Sequence, residues 1–219
     1  MKKCCDSLEE AIKIKCKCIS RIANEMMLSE INYPTPLMVQ AQQEFSQFVF
    51  EQLSCFIGFQ DDRGWTALMF AVDNYNIHAV NFLISEQGKI NDWGFTALAM
   101  CCYSCFEEAV HILIGEHMIL DVNNVSIAQQ AIKNGHFDVL ITLYDLLGKE
   151  CLENRDKLGR DVFAYAAYQG QEQIIQFISD KISRKNDLFG RSYIYYFSLG
   201  RIDRGDFSNY DMDREVLLQ

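Results

Sequence analysis

Cysteine and histidine are the residue types best suited to metal binding or nucleophilic chemistry, and this chain contains nine cysteines and four histidines. Cys101, Cys102 and Cys105 lie close together, and Cys101 and Cys105 are one helical turn apart. On one helix face, those two thiols would supply half of a site for a soft metal ion. Cys101 also occupies a position where other copies of a recurring phrase hold alanine, and buried cysteine packs as a small apolar side chain. We therefore favour packing for this group.

Four further cysteines lie near the beginning of the chain, namely Cys4, Cys5, Cys16 and Cys18. They could converge on zinc, but they lack the two-residue spacing of common zinc motifs. Acylation of Cys4 and Cys5 beside Lys2 and Lys3 would instead combine acyl chains with positive charge, the two signals that stable membrane anchoring needs. We favour unmodified thiols, exposed or packed, over both alternatives.

Neither the histidines nor the sequence motifs support catalysis. His136 fits a repeated turn, and the other three have no cysteine or carboxylate partner at catalytic spacing: they are His78, His111 and His117. The sequence contains no phosphate loop, dinucleotide fingerprint, nucleophile elbow or His-Glu-x-x-His. We therefore expect a chain that is not an enzyme and needs neither a metal nor a cofactor.

The overall charge narrows the class of partner. The 219 residues carry a formal net charge of −10 at neutral pH. The first 29 residues hold six basic and four acidic side chains, so the remainder carries −12. Such a surface repels nucleic-acid phosphates and anionic lipids. We expect a protein partner with a basic or apolar surface, no nucleic acid, and membrane contact only if Cys4 and Cys5 are acylated.

Composition and cysteine usage indicate a folded protein in a reducing compartment. Hydrophobic residues make up 49% and charged residues 23% of the chain, with only two prolines. The number of cysteines is odd, and residues 1–20 interleave lysines and acids where a secretory leader needs an apolar stretch. No uninterrupted apolar run approaches the roughly 18 to 20 residues that cross a bilayer. We expect a cytoplasmic protein.

One phrase recurs along the chain. It reads Asp61-x-x-Gly64-Trp65-Thr66-Ala67-Leu68 and returns thirty positions later as Asn91-x-x-Gly94-Phe95-Thr96-Ala97-Leu98. Weaker copies begin at Asp121, Asp156 and Asp187, after intervals of 30, 35 and 31 residues. A period of this length is typical of an array of helix-turn-helix repeats.

The residue types explain how each repeat folds. Aspartate or asparagine followed three residues later by glycine suits a tight turn, because Asp and Asn bond their own backbone and Gly tolerates a positive φ. Thr66, Thr96 and Ser126 can each cap the helix that follows. Ala71, Ala131 and Ala166 allow helices to approach closely. A second apolar set predicts the partner helices, at Val80/Leu83, Val110/Leu113, Leu140/Leu143 and Ile175/Ile178.

The segment Gly64-Trp65-Thr66-Ala67-Leu68-Met69-Phe70-Ala71 is similar to the Gly-x-Thr-Pro-Leu-His-x-Ala signature of ankyrin repeats. Asn134-Gly135-His136 resembles the family's turn between helices. The chain departs from the family pattern in its shorter period, in the missing proline, and in Tyr195, Tyr196 and Phe197, where small residues belong. It resembles the divergent ankyrin arrays common in unicellular eukaryotes. The resemblance implies an all-α, ankyrin-type solenoid of about five to six helix-turn-helix repeats with short hairpin loops.

The positions of the repeats divide the chain into three regions. Residues 34–200 form the ankyrin-repeat array, with repeats starting near 34, 61, 91, 121, 156 and 187. Residues 1–33 form an N-terminal helical cap, in which Ser7 and Glu10 begin a helix that reaches Leu28. Residues 201–219 form a C-terminal cap or tail, with a closing helix or a frayed end between Ser208 and Leu218.

The resemblance implies a non-catalytic scaffold for protein–protein interaction. Ankyrin arrays usually meet their ligand at the hairpin tips and on the concave face of the first helices. Carried over by position, the expected partner-binding residues are Asp62, Arg63, Trp65, Asp92, Trp93, Phe95, Tyr103, Lys157, Arg160, Tyr168, Phe189 and Arg191, with Asp73, Asn74, Ser104, Val125, Lys133, Asn134, Leu158 and Gln169 beside them. Trp, Tyr and Arg dominate interface energetics. Trp65, Trp93 and Phe95 could equally stack between neighbouring hairpin tips, which is a structural role.

A second class of function stays open at this point. The chain could be a regulatory or targeting subunit that localises an enzyme at a membrane through an acylated Cys4/Cys5 end.

Overall fold

Helix is the only regular secondary structure in the described part of the computed structural model, which comprises residues 7–13, 20–22, 25 and 34–203. The prediction of an all-α fold is therefore confirmed. No helix among these residues is long and apolar enough to cross a membrane. The chain divides into two compact units. Unit 1 comprises residues 1–100 and 112–116, and unit 2 comprises residues 101–111 and 117–219.

Short helices alternate with tight turns. In chain order they are α1 (Leu8–Lys13), α2 (Pro36–Ala41), α3 (Gln47–Gln52), α4 (Ala67–Asp73), α5 (Ile77–Phe82), α6 (Ala97–Ser104), α7 (Glu107–Leu113), α8 (Ile127–Lys133), α9 (Phe137–Leu147), α10 (Val162–Gln169), α11 (Glu172–Ser179) and α12 (Tyr193–Asp203). Short 3-10 helices lie at Ser54–Phe56, Ile84–Glu86, Ile114–Glu116 and Gly148–Leu152. The helices from α2 to α11 form the predicted pairs, and α12 opens the last repeat.

The predicted turn forms in every copy of the phrase. Asp61 Oδ1 accepts hydrogen bonds from the backbone N–H groups of Arg63 and Trp65, at 3.0 and 2.7 Å. The same oxygen position accepts the same two bonds at Asn91, Asp121, Asp156 and Asp187. The fourth residue has a positive φ, from 60° to 78°, at Gly64, Gly94, Asn124, Gly159 and Gly190. We name these turns finger 1 (61–65), finger 2 (91–95), finger 3 (121–125), finger 4 (156–160) and finger 5 (187–191).

Neighbouring fingers within a unit are joined through their backbones. In unit 1, the N–H of Asp92 donates to the carbonyl oxygen of Arg63 at 3.0 Å. In unit 2, the N–H of Leu188 donates to the carbonyl oxygen of Leu158 at 3.1 Å. A Cβ atom on Gly64 would lie 2.9 Å from the Cα of Asn91, so this close approach requires glycine. Lateral packing of one finger on the next therefore depends on this position.

The predicted caps begin the first helices. Thr66 Oγ1 accepts a hydrogen bond from Met69 N–H at 3.3 Å, and Ser126 Oγ accepts one from Gln129 N–H at 3.3 Å. Thr96 caps α6 in the same way. These bonds satisfy N–H groups that the first turn of a helix leaves unpaired. The capping predictions are therefore confirmed.

The predicted apolar faces are buried in each unit. In unit 1, α2 packs against α4, and the buried side chains include Leu37, Leu68, Ala71, Val80 and Leu83. In unit 2, α10 packs against α8 and α12, and the buried side chains include Ala131, Leu140, Leu143, Ala166 and Ile178. Full burial of a side chain such as leucine contributes roughly 1.5 to 3 kcal/mol. The stack of helix pairs is thus held by the residues that define the repeat.

Two buried glutamates add a polar contact that the sequence analysis missed. The Oε1 and Oε2 atoms of Glu86 accept hydrogen bonds from the backbone N–H groups of Gly58 and Leu68, each at 2.7 Å. Glu116 makes the same pair of bonds thirty residues later, at 2.6 and 2.7 Å. Burial raises the pKa of Glu86, although both backbone hydrogen bonds favour its carboxylate. Each glutamate therefore ties the turn before a finger to the helix after it.

The ends of the array differ in detail from the predicted frame. Ser7 Oγ accepts a hydrogen bond from Glu10 N–H at 3.1 Å, as predicted, and residues 20–22 and 25 are also helical. Most of the predicted helix between Lys13 and Leu28 lies outside the described residues, as does the segment 208–218. The helix α12 continues past Gly200 to Asp203.

Candidate functional site

The tips of fingers 1 and 2, both in unit 1, expose most of the predicted binding residues. Asp62, Arg63 and Asp92 are exposed, and Trp93 is 54% exposed. The guanidinium of Arg63 lies 5.2 Å from the centre of the Trp65 ring. This surface therefore presents acidic and aromatic groups side by side.

The two tryptophans of unit 1 differ in their surroundings. The Trp65 ring is half-buried, with its centroid 5.1 Å from that of Phe70. Trp93 meets Trp65 edge to face at 6.1 Å. Phe95 is also half-buried. Stacking between fingers thus involves both tryptophans, while Trp93 keeps more than half of its surface open to a partner.

In unit 2, the exposed predicted residues lie on α6 and on fingers 4 and 5. Tyr103 is 58% exposed, and its carbonyl oxygen lies 2.7 Å from Nε2 of His136. Lys157 and Leu158 are exposed at the tip of finger 4, and Phe189 is 67% exposed at the tip of finger 5. The tips of these fingers are more apolar than those of unit 1.

Arg160 is partly buried and belongs to a hydrogen-bonded cluster around the buried carboxylate of Asp156. Asp156 Oδ2 accepts a hydrogen bond from Arg160 Nε at 2.6 Å and another from the Tyr165 hydroxyl at 2.8 Å. Arg160 Nη2 also donates to the Tyr165 oxygen at 3.1 Å. Asp187, Arg191 and Tyr196 repeat the cluster. Two of the three predicted arginines, Arg160 and Arg191, are therefore held in fixed positions.

In the cluster of Asp187, Arg191 and Tyr196, the aspartate is ionised and the tyrosine keeps its proton at neutral pH. Burial opposes ionisation of Asp187, but hydrogen bonds from Tyr196 and Arg191 outweigh it and hold the pKa of this carboxyl at about 2. Desolvation raises the pKa of Tyr196, and the hydrogen bond to Asp187 raises it further. The aspartate therefore accepts and the tyrosine donates across the neutral pH range.

A groove of about 400 Å³ opens in unit 2 beside these clusters. Five positions derived from the resemblance line it, namely Val125, Lys133, Arg160, Tyr168 and Gln169. The Tyr168 hydroxyl donates to Asp203 Oδ2 at 2.5 Å, and Gln169 Nε2 donates to the carbonyl oxygen of Lys133 at 2.9 Å. The structure thus brings these side chains together, with aromatic, aliphatic and charged groups in one concavity.

Sequence reasoning missed the other side of the groove. Tyr196, Leu199 and Asp203 line it from α12, and Asp121 and Tyr165 complete it. Tyr196 lies in the stretch that departs from the small-residue pattern, which is why its role was not foreseen. A signal was present: a hydrogen-bonding side chain stands nine residues after the finger aspartate at Gln130, Tyr165 and Tyr196.

The alternative of a half-site for a soft metal at Cys101 and Cys105 is not realised. Cys101 is buried within α6, whereas Cys105 lies beyond the end of that helix, with a φ of 61°, and is exposed. The two thiols therefore do not share a helix face. Within the described ranges, no group of three or more His, Cys, Asp or Glu side chains could hold a metal ion. Cys4, Cys5, Cys16 and Cys18 lie outside those ranges.

Comparisons with known proteins agree with this architecture. Residues 37–125 match the family described as ankyrin repeats, in three copies. Among the 371 matching chains of solved structures is one from the structure of the Bd0816 predatory endopeptidase from Bdellovibrio bacteriovorus in complex with the immunity protein Bd3460. That match has a TM-score of 0.64 and 19% identity, and it covers 78% of this chain and 95% of the other. No curated protein matches the chain.

At this identity the structural match shows the fold alone. The family match falls on fingers 1 to 3 and the helix pairs beside them, and the same finger geometry recurs at Asp156 and Asp187. The resemblance inferred from the sequence is therefore confirmed: residues 37–125 of this chain match ankyrin repeats.

Proposed function

We propose that this chain is a non-catalytic scaffold that binds a protein partner through its finger tips and the first-helix face that lines the unit 2 groove. Ankyrin repeats are generally protein–protein interaction modules. The observation that carries the proposal is the exposure of large aromatic side chains at predicted positions: Trp93, Tyr103 and Phe189 are each more than half exposed. Such side chains bury large areas at low entropic cost on binding.

The chemistry of the partner differs between the two surfaces. Asp62 and Asp92 are exposed near Trp93, so the fingers of unit 1 suit a partner surface that is apolar and basic. The groove of unit 2 is already shaped by hydrogen bonds among its own residues, such as that from Tyr168 to Asp203. Pre-organised side chains lose less conformational entropy on binding.

A double substitution tests the proposal. The full chain and its Trp93→Ala/Tyr103→Ala variant are used to capture partners from the native cell, with mass spectrometry to identify them. We expect the variant to lose the partner at an unchanged melting temperature, because both side chains are largely exposed. Met118→Ala is the matched control, since Met118 is 77% exposed but lies outside the predicted surface.

Two results would count against this proposal. Retention of the partner by the double variant would remove both residues from the interface. Unfolding of the double variant would assign Trp93 and Tyr103 to the stack instead.

A further inference from the structure

Positive charge is unevenly distributed along the chain. Residues 34–148 hold three basic and thirteen acidic side chains. Residues 149–191 hold eight basic and seven acidic side chains. The net charge of −10 therefore conceals a segment in which basic residues are as frequent as acidic ones.

Five of these basic residues belong to the two segments that connect second helices to the following fingers, and all of them except Arg184 line one cleft. Finger 4 begins 35 residues after finger 3, where the regular spacing is 30, and the added length extends α9 and forms Gly148–Leu152. Lys149 and Arg155 come from this segment. Lys181 and Lys185 come from the segment between α11 and finger 5. The lengthened segment thus supplies two of the four cations, and the segment before finger 5 supplies the other two.

The four basic side chains line one cleft in unit 2, which has a volume of about 320 Å³. Glu153 and Asp161 also line it, so the lining has an excess of two positive charges. Asp161 is engaged as the cap of α10, because it accepts a hydrogen bond from Ala164 N–H at 3.1 Å. Glu153 lies 3.9 Å from Lys149, and both side chains are more than half exposed, so this pair contributes little to stability.

Two of the other cations, Arg155 and Lys181, have contacts that hold them in place. Arg155 Nη2 donates to the carbonyl oxygen of Asn186 at 2.8 Å. Lys181 Nζ lies 5.4 Å from the centre of the Tyr144 ring and 5.5 Å from that of Phe177. Among the described residues, none of Arg155, Lys181 and Lys185 forms a salt bridge. Asp161 offsets part of the charge of Arg155, so the charges of Lys181 and Lys185 are the ones that remain for an anion from outside.

We infer that this basic cleft binds an acidic segment of a protein partner, with carboxylate side chains between Lys181, Lys185 and Arg155. Hydrogen bonds from cations to carboxylates are about twice as strong as neutral ones. A long polyanion is disfavoured, because Glu153 and Asp161 interrupt the positive surface and residues 34–148 are strongly acidic. This cleft shares no lining residue with the groove of unit 2, so the inference does not rest on the proposed function.

Fluorescence anisotropy of a labelled peptide of alternating Glu and Gly, titrated with the full chain, tests the inference. We expect saturable binding that weakens between about 50 and 300 mM salt. The Lys181→Glu/Lys185→Glu variant should bind at least about tenfold more weakly. The Lys13→Glu/Lys89→Glu variant is the matched control, because it changes the net charge equally at exposed lysines outside the cleft. Melting temperatures verify that both variants fold.

Three outcomes would overturn the inference: no saturable binding, equal losses in the two variants, or tighter binding of phosphatidylserine vesicles or of an oligonucleotide with the same charge as the peptide. The first two would remove the cleft as a site, and the third would assign it to another polyanion. None of them alters the expected result for Trp93→Ala/Tyr103→Ala, which changes residues elsewhere.

Discussion

The first residue of each finger shows how one side chain can serve the turn and its surroundings at once. The Oδ1 atom accepts two backbone hydrogen bonds whether the residue is Asp187 or Asn91. The other polar atom of the side chain, Oδ2 in aspartate or Nδ2 in asparagine, has a partner only where a neighbouring residue supplies one. Tyr196 donates to Asp187 Oδ2, whereas Asn91 Nδ2 is buried without a hydrogen-bond partner among the described residues. The turn therefore needs only Oδ1, and the ionised carboxylate serves the Asp-Arg-Tyr cluster.

Asp187→Asn separates these two roles. Asparagine can keep both backbone bonds, as Asn91 does, but it loses the negative charge that Arg191 and Tyr196 favour. The pKa of Asp187, about 2, lies below the ordinary value near 3.9, so the carboxylate stabilises the fold above about pH 4 and loses this effect as the pH falls toward 2. Urea unfolding at neutral pH should show a loss on the order of 2 kcal/mol, and this loss should shrink below pH ~4. A loss that does not change with pH would contradict the assignment.

Glu86→Gln tests whether a buried carboxylate is needed where it accepts two hydrogen bonds. Glutamine can accept from Gly58 or from Leu68 but sets its own amide N–H against the other donor. We expect a loss of about 1 to 3 kcal/mol in the free energy of unfolding, even though the change removes a desolvated charge. Glu116→Gln provides a second measurement in nearly identical geometry. Unchanged stability in both variants would show that desolvation outweighs the hydrogen bonds.

At the scale of the element, no helix described in this chain is longer than eleven residues, and isolated helices of this length are marginal in water. Their stability must come from packing on neighbouring repeats and from the fingers that hold each pair in place. The finger restricts the choice of residue more than helix packing does, because its fourth residue has a positive φ and can also lie in close contact with the next finger.

Gly159→Ala and Gly190→Ala separate these two demands. Both residues have a φ near 75°, so alanine adds about 1 to 2 kcal/mol of strain at either position. A Cβ on Gly159 would lie 2.6 Å from Leu188 Cγ and 2.8 Å from Leu188 N, whereas a Cβ on Gly190 would meet nothing within 4 Å. Chemical unfolding should therefore show a larger loss for Gly159→Ala. Equal losses in the free energy of unfolding would mean that fingers 4 and 5 can move apart at little cost, which would contradict the expectation.

On the scale of the whole molecule, the features that the sequence predicts are those that recur from one repeat to the next. The helix pairs, the finger turns and the caps at Thr66 and Ser126 were predictable, because each depends on residues that recur at a fixed spacing. The groove was predictable on one side only: Tyr168 follows from its repeat position, whereas Tyr196 occupies a position where the pattern calls for a small residue.

Features that occur once, or that join distant positions, were not predictable. Cys105 leaves the helix face because its backbone adopts a positive φ, a conformation that the residue type does not favour. Glu86 reaches Gly58 across 28 residues, and the residue type alone gives no sign of so distant a partner. The basic cleft arises where the spacing of the repeat changes, so a search for regularity passes over it.

The proposed scaffold binds its protein partner on finger tips and on the first helices of its repeats. Hydrogen–deuterium exchange of the full chain, with and without the captured partner, measures this directly. We expect slower exchange at residues 62–65, 92–95, 101–104, 157–160, 165–169 and 189–191 in the complex, and unchanged exchange in the second helices α5, α9 and α11. Protection confined to those second helices, with the fingers unaffected, would contradict it.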